Sequence, residues 1–134
     1  MKLLAACLIA AAPLMAQNVT WEHDLAAALK RAKAEKKLVF VDIWAEWCPP
    51  CQHLKTKVFP TAEAQKALAA YVPVALMTET KDRNVQPAAM AAAEKYRVEA
   101  YPTLLILDSD GKEVRRQTGA FRTGADLAAW LGKR

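Results

Sequence analysis

Two cysteines separated by two prolines follow directly on the pattern of a buried strand, and this segment constrains the fold most. The run from Leu38 to Trp44 is almost continuous in β-branched and aromatic residues, which is typical of a central strand covered on both faces. After a short turn come Cys48, Pro49, Pro50 and Cys51. Proline favours the first turn of a helix, where backbone N–H groups have no intrahelical partner. The segment therefore predicts a strand, a turn and a helix that carries both sulfurs on one side of its first turn.

The rest of the chain alternates between helix and strand patterns. Apolar residues at helical spacing predict a first helix from Trp21 to Lys36, and capping and turn residues bound the later elements. The sequence predicts further strands at Val72 to Met77, Leu104 to Leu107 and Glu113 to Gln117, the last two joined as a hairpin, and further helices at Thr61 to Ala70, Pro87 to Tyr96 and Thr123 to Leu131. This order indicates a single α/β domain: a central mixed sheet flanked by helices, with right-handed crossovers around the first three strands.

The first 16 residues have the pattern of a secretory signal peptide. Lys2 is followed by the uncharged stretch from Leu3 to Ala16, which is too short to span about 30 Å of hydrocarbon. We therefore expect a signal peptide over residues 1–16 and a mature domain over residues 17–134, in the periplasm or outside the cell. Two alternatives stay open: lipidation at Cys7, and an N-terminal membrane anchor that is not cleaved.

The charge distribution argues against a nucleic-acid partner. The chain has 19 Lys and Arg against 14 Asp and Glu, a formal net charge of +5, and removal of Lys2 with the signal leaves 18 against 14, or +4. The basic residues are interleaved with Ala and Glu, as on a solvated helix face. Because there is no arginine stripe with interleaved aromatic residues, we expect no nucleic-acid binding.

Four interpretations of the cysteine pair compete. A structural zinc site needs four ligands, and the only further soft candidates are His53 and the distant His23. Covalent haem needs His directly after the second cysteine, where Gln52 stands. A purely structural disulfide would close too small a loop to remove much unfolded-chain entropy. The pair is therefore best interpreted as a redox dithiol, with no metal and no cofactor expected.

Two segments resemble the thioredoxin family. The stretch from Val41 to Cys51 is similar to the thioredoxin active-site segment, and Tyr101-Pro102-Thr103 is similar to the cis-proline loop of that family. Three features make the chain look most like the periplasmic C-terminal thioredoxin-like domain of the reductant carrier DsbD and related stand-alone periplasmic proteins: the upstream helix at Trp21, the Lys55 to Ala64 stretch and the secretory signal. Two positions depart from the pattern: Gln52 stands where the family usually has Lys, and Pro49 where thioredoxin has Gly.

The position of Cys48 at the start of a helix favours its thiolate, so it is the expected nucleophile, and Cys51 is expected to resolve the mixed disulfide. Asp42 lies in an otherwise apolar strand, where an ionised carboxylate is costly unless paired. The resemblance implies that Asp42 is buried beneath Cys51 and transfers its proton. The resemblance also places Tyr101 and Pro102 opposite the cysteines.

The expected activity is that of a thiol-disulfide oxidoreductase that reduces protein disulfides. Trp47 is expected to form a docking surface for substrate together with Tyr101 and Pro102. Pro50 stands where strongly oxidising relatives carry His, which favours the reducing direction. The expected partners are protein disulfides and a membrane or soluble dithiol electron donor, and the expected state is a monomer. A disulfide oxidase or isomerase is the alternative within the enzyme class, and a redox-inactive binding or chaperone module is the alternative outside it.

Overall fold

A computed structural model describes residues 18–133. The signal peptide predicted over residues 1–16, and the alternatives that concern Cys7, lie outside the described residues. The elements in chain order are α1 (Leu25–Glu35), β1 (Leu38–Trp44), α2 (Pro49–His53), a π-helical turn (Leu54–Val58), α3 (Ala62–Leu68), β2 (Tyr71–Met77), α4 (Pro87–Lys95), β3 (Thr103–Leu107), β4 (Glu113–Thr118) and α5 (Gly124–Leu131). Over the described range, no helix is both long and apolar enough to cross a membrane.

The four strands form one mixed sheet in the order β2-β1-β3-β4. Strand β1 pairs in parallel with β2 and antiparallel with β3, and β3 pairs antiparallel with β4. The mixed sheet flanked by helices and the closing hairpin are therefore confirmed. The prediction of right-handed crossovers around the first three strands is wrong for β3. That strand runs antiparallel to β1, whereas a crossover connection joins parallel strands.

Alternate residues of β1 face two separate hydrophobic cores, as the two-residue period of a strand requires. Val39, Val41 and Ile43 pack with α1 and α4 on one face of the sheet. Phe40 packs on the other face with residues of the π-helical turn, α3 and α5. Asp42 shares the face of Phe40, which is the face covered by the cysteine-bearing helix and its continuation.

The first helix begins at Leu25, four residues later than the predicted start at Trp21. The Asp24 carboxylate accepts a hydrogen bond from the Ala27 backbone N–H at 2.8 Å and caps the helix there. Before the cap, Glu22 forms an isolated parallel bridge with Val74 of β2. The Trp21 ring packs against aromatic rings of the second core. Pairing at the sheet edge therefore overrides the helical spacing of this segment.

Candidate active site

The cysteine pair lies where β1 leads into α2. Cys48 and Cys51 form a disulfide with their Cα atoms 5.2 Å apart, and their residues are only 3% and 1% exposed. Cys48 is the N-cap of α2, and its sulfur accepts a hydrogen bond from the Cys51 backbone N–H at 3.3 Å. Pro49 and Pro50 occupy the first two helical positions. A thiolate at Cys48 would thus have one backbone donor already directed at it.

Two aromatic residues border Cys48. Trp47 is 36% exposed, and its ring meets the Tyr101 ring edge to face with centroids 6.2 Å apart. The Tyr101 carbonyl oxygen lies 3.6 Å from the Cys48 sulfur. The Tyr101–Pro102 peptide bond is cis, as the resemblance implies, and the Pro102 carbonyl accepts a hydrogen bond from the Gly119 N–H at 2.8 Å. The structure therefore brings Cys48 together with Trp47 and the Tyr101–Pro102 loop.

The loop after β2 supports Trp47 through contacts that the sequence analysis missed. The indole N–H of Trp47 donates to Glu79 Oε2 at 2.7 Å, and the Arg83 guanidinium lies 4.0 Å from the centroid of the indole ring. Glu46 accepts a hydrogen bond from the Lys81 backbone N–H at 2.8 Å. These partners are more than 30 residues apart in sequence, so no local pattern could have identified them.

Asp42 is a buried carboxyl group on the sheet face below the cysteine helix. It is 5% exposed, and its Oδ1 atom has no hydrogen-bond partner among the described residues. Burial raises the pKa of Asp42 from 3.8 to about 7, and the nearby Lys55 ammonium acts in the opposite direction. A carboxyl group with a pKa near neutrality can exchange protons at physiological pH.

The position of Asp42 relative to the cysteines follows from the strand register. Trp44, two residues along β1, packs against the small cluster formed by Ala45, Cys48 and Cys51. Residues two apart on a strand share a face, so the carboxyl group lies on the same side of the sheet as that cluster. Asp42 and Trp44 also line one open cavity of about 410 Å³, together with Lys55 and His23. Sequence reasoning identified Asp42 but missed Lys55 and the cavity.

A second groove, of about 470 Å³, borders Pro50 of the cysteine helix. It is also lined by His53 and by the segment 120–123, which connects β4 to α5. His53 is partly buried, and its Nε2 lies 3.0 Å from the Arg122 carbonyl oxygen. Within residues 18–133, no three His, Cys, Asp or Glu side chains are grouped so that they could hold a metal ion.

The arrangement has the parts that dithiol chemistry needs. One cysteine lies at the first turn of a helix with a backbone donor on its sulfur, and the other lies three residues further on and is more deeply buried. A carboxyl group that titrates near neutrality lies on the same side of the sheet. An exposed indole ring and a proline loop border the first sulfur.

Comparison with known proteins gives a consistent result. A family model described as a thioredoxin-like domain matches residues 25–134. The chain is 31% identical over 108 residues to the thiol:disulfide interchange protein DsbD of Pseudoalteromonas atlantica, a match that covers 78% of this chain and 17% of DsbD. It is 43% identical over 83 residues to thioredoxin of Chlamydia trachomatis, covering 61% of this chain and 69% of that protein. The chain thus spans about a fifth of the length of the DsbD proteins it matches.

A solved structure gives the same picture. A thioredoxin from Thermus thermophilus superposes with a TM-score of 0.68 at 29% sequence identity. The match covers 86% of this chain and 85% of the thioredoxin. The similarity therefore extends over the sheet and helices that position the cysteine pair.

Proposed function

Because this chain belongs to the thioredoxin-like family of disulfide oxidoreductases, we propose that it reduces protein disulfides by dithiol-disulfide exchange through Cys48 and Cys51. One observation carries the proposal. The cysteine pair caps a helix between an exposed tryptophan and a proline loop, with a buried carboxyl group on the same side of the sheet. A structural disulfide needs none of these neighbours.

Cys48 is the proposed nucleophile. In the reduced protein its thiolate accepts a hydrogen bond from the Cys51 backbone N–H and attacks one sulfur of a substrate disulfide. A new bond forms between the Cys48 sulfur and that substrate sulfur, the substrate disulfide breaks, and the other substrate sulfur leaves as a thiolate. Pro49 and Pro50 contribute no N–H groups, so the stabilisation of the thiolate rests mainly on this one donor.

Cys51 is the proposed resolving cysteine, and Asp42 the proposed proton acceptor. Cys51 is almost fully buried, so its thiol needs a base close by before it can react. Ionised Asp42 takes the thiol proton, the Cys51 thiolate attacks the Cys48 sulfur, and the second substrate sulfur leaves as a thiolate. The dithiol is oxidised by two electrons and the substrate disulfide is reduced by two. The pKa of Asp42, raised by burial to about 7, suits this transfer at neutral pH.

Trp47, Tyr101 and Pro102 are the proposed substrate-binding residues. The exposed indole ring offers an apolar surface next to the nucleophile, held in place by Glu79 and Arg83. The Tyr101 carbonyl lies beside the Cys48 sulfur, so a substrate chain that pairs with this loop would bring its own sulfur to the nucleophile. Substrate disulfides in proteins need such positioning more than small disulfides do.

We further propose a mature domain over residues 17–134 that acts outside the cytoplasm after removal of residues 1–16. It would act as a monomer and receive electrons from a membrane or soluble dithiol donor. The signal-like N-terminal sequence supports the location, and the relatives named thiol:disulfide interchange proteins support a role in electron transfer between dithiols. The absence of His at position 50 supports the reducing direction.

Insulin reduction tests the activity directly. The full chain should accelerate precipitation of insulin by dithiothreitol, whereas Cys48→Ser and Cys51→Ser should not; Asp82→Asn, in the exposed loop, is the matched surface control. Redox equilibrium with glutathione then tests the direction. A reducing protein should have a potential below about −200 mV, whereas an oxidase would lie nearer to about −120 mV. No acceleration by the wild type would favour a redox-inactive binding module.

A further inference from the structure

Lys55 is an exposed residue of the π-helical turn that follows the cysteine helix. The Phe59 N–H donates to the Leu54 carbonyl at 2.8 Å, five residues back, which is the hydrogen bond that defines such a turn. In this turn the Lys55 ammonium lies 4.9 Å from the centroid of the Trp44 ring. The turn follows directly on the helix that carries Cys51, so the placement of Lys55 is coupled to that of the cysteine helix.

The same lysine lines the cavity that reaches Asp42. Lys55, Trp44 and Asp42 all border this open space of about 410 Å³. Asp42 is nearly fully buried, and its Oδ1 atom has no hydrogen-bond partner within residues 18–133. Asp42 borders a cavity large enough for several water molecules, so its carboxyl group can pass a proton to water there. The cavity thus connects the proposed proton acceptor to solvent.

Few charges act on Asp42. Its strand partners are Ala75 on β2 and Leu104 on β3, neither of which titrates. The segment before α1 contributes His23 to the cavity wall, and the π-helical turn contributes Lys55. Burial raises the pKa of Asp42, and Lys55 is the charge that lowers it. Removal of the lysine should therefore leave the effect of burial unopposed.

We propose that Lys55 is a positioning residue for dithiol-disulfide exchange: its ammonium, held over Trp44 at the cavity, favours the ionised form of Asp42 that accepts the Cys51 proton. The inference rests on the proposed function and adds a residue outside the cysteine motif. After the proton has moved from Cys51 to Asp42, the cavity water takes it to solvent. Asp42 is then ionised again for the next turnover.

Carboxyl titration tests the effect on Asp42 without any substrate. The full chain is labelled with ¹³C at the Asp carboxyl carbons, oxidised so that the cysteines do not titrate, and followed by NMR from pH 4 to pH 10. Lys55→Met should move the Asp42 midpoint upward by about 1 pH unit, the lower end of the range for a nearby opposite charge. Lys55→Arg should keep the wild-type midpoint. Lys57→Met, on the same turn but not at the cavity, is the matched control and should leave the midpoint unchanged.

The pH profile of insulin reduction tests the consequence. With a pKa of about 7, roughly half of Asp42 is ionised at pH 7. A midpoint about 1 pH unit higher leaves about a tenth of Asp42 ionised at pH 7. Insulin reduction by Lys55→Met should therefore be about fivefold slower than wild type at pH 7 and equal to wild type above pH 9. Arginine at position 55 should restore the neutral rate. A merely structural role would slow the reaction equally at every pH.

Three outcomes would overturn the inference. An Asp42 midpoint that stays the same in Lys55→Met, or one that Lys57→Met moves equally, would remove Lys55 from its assigned role. A shifted midpoint with an unshifted rate profile would show that Lys55 acts on Asp42 but not on the reaction. If the wild type reduces no insulin, the proposed function fails, and the NMR titration still decides whether Lys55 controls Asp42.

Discussion

Replacing Asp42 with Asn should stabilise the protein, and the gain should grow as the pH rises. Burial raises the pKa of Asp42 to about 7 in the folded state, against an ordinary value of 3.8. Between these two values the unfolded chain has lost the proton that the folded chain keeps, so the wild type loses stability as pH rises from about 4 to about 7. At about 1.4 kcal/mol per pKa unit, the full penalty above pH 7 is about 4 kcal/mol. Asn at position 42 carries no such penalty.

Denaturant unfolding of the oxidised proteins at pH 5 and pH 8 measures this effect. The stability difference between Asp42→Asn and wild type should widen by about 2.5 kcal/mol between the two pH values, in favour of the variant. Any constant effect of the amide on packing cancels in this comparison. Asp110→Asn, at an exposed ion pair with Lys33, is the control and should show little change with pH. A stability difference that is the same at pH 5 and pH 8 would refute the raised pKa.

Three further predictions concern catalysis, docking and packing. Asp42→Asn should slow insulin reduction at pH 7 while both cysteines remain titratable, because the buried Cys51 thiol loses its base; an unchanged rate would remove Asp42 from the mechanism. Trp47→Ala should slow reduction of a protein disulfide by about tenfold, equivalent to about 1.4 kcal/mol of contact, but spare a small aromatic disulfide. Equal losses with both substrates would argue against a docking role. Gly124→Ala should destabilise the fold by about 1–3 kcal/mol, because a Cβ there would overlap the Thr61 hydroxyl and lie 2.8 Å from its Cβ. A gain in the urea midpoint would contradict that packing.

The sequence identified the elements whose causes are local. The apolar run of β1, the prolines after Cys48 and the caps at Thr61 and Thr123 all act within a few residues, and each element formed where it was expected. Asp42 could be identified as a candidate because an ionised carboxylate in an otherwise apolar strand is costly unless it is paired. These local signals were enough to predict the fold class and to select the residues of the candidate site.

The features that the sequence missed depend on long-range contacts. The Trp21 segment has helical spacing, yet Glu22 pairs with Val74 at the edge of the sheet. The partners of Trp47 come from a loop more than 30 residues away. Lys55 lines the cavity from a π-helical turn, and no propensity distinguishes that turn from an α-helical one.

Trapping of a mixed disulfide tests the central claim most directly. Reduced Cys51→Ser, mixed with a protein disulfide, should form a covalent adduct that peptide mapping places at Cys48, because the serine cannot resolve it. Cys48→Ser should form none at Cys51, because the proposed docking loop lies beside the sulfur of Cys48. Equal adducts with both variants, or no adduct at Cys48 in Cys51→Ser, would contradict the account.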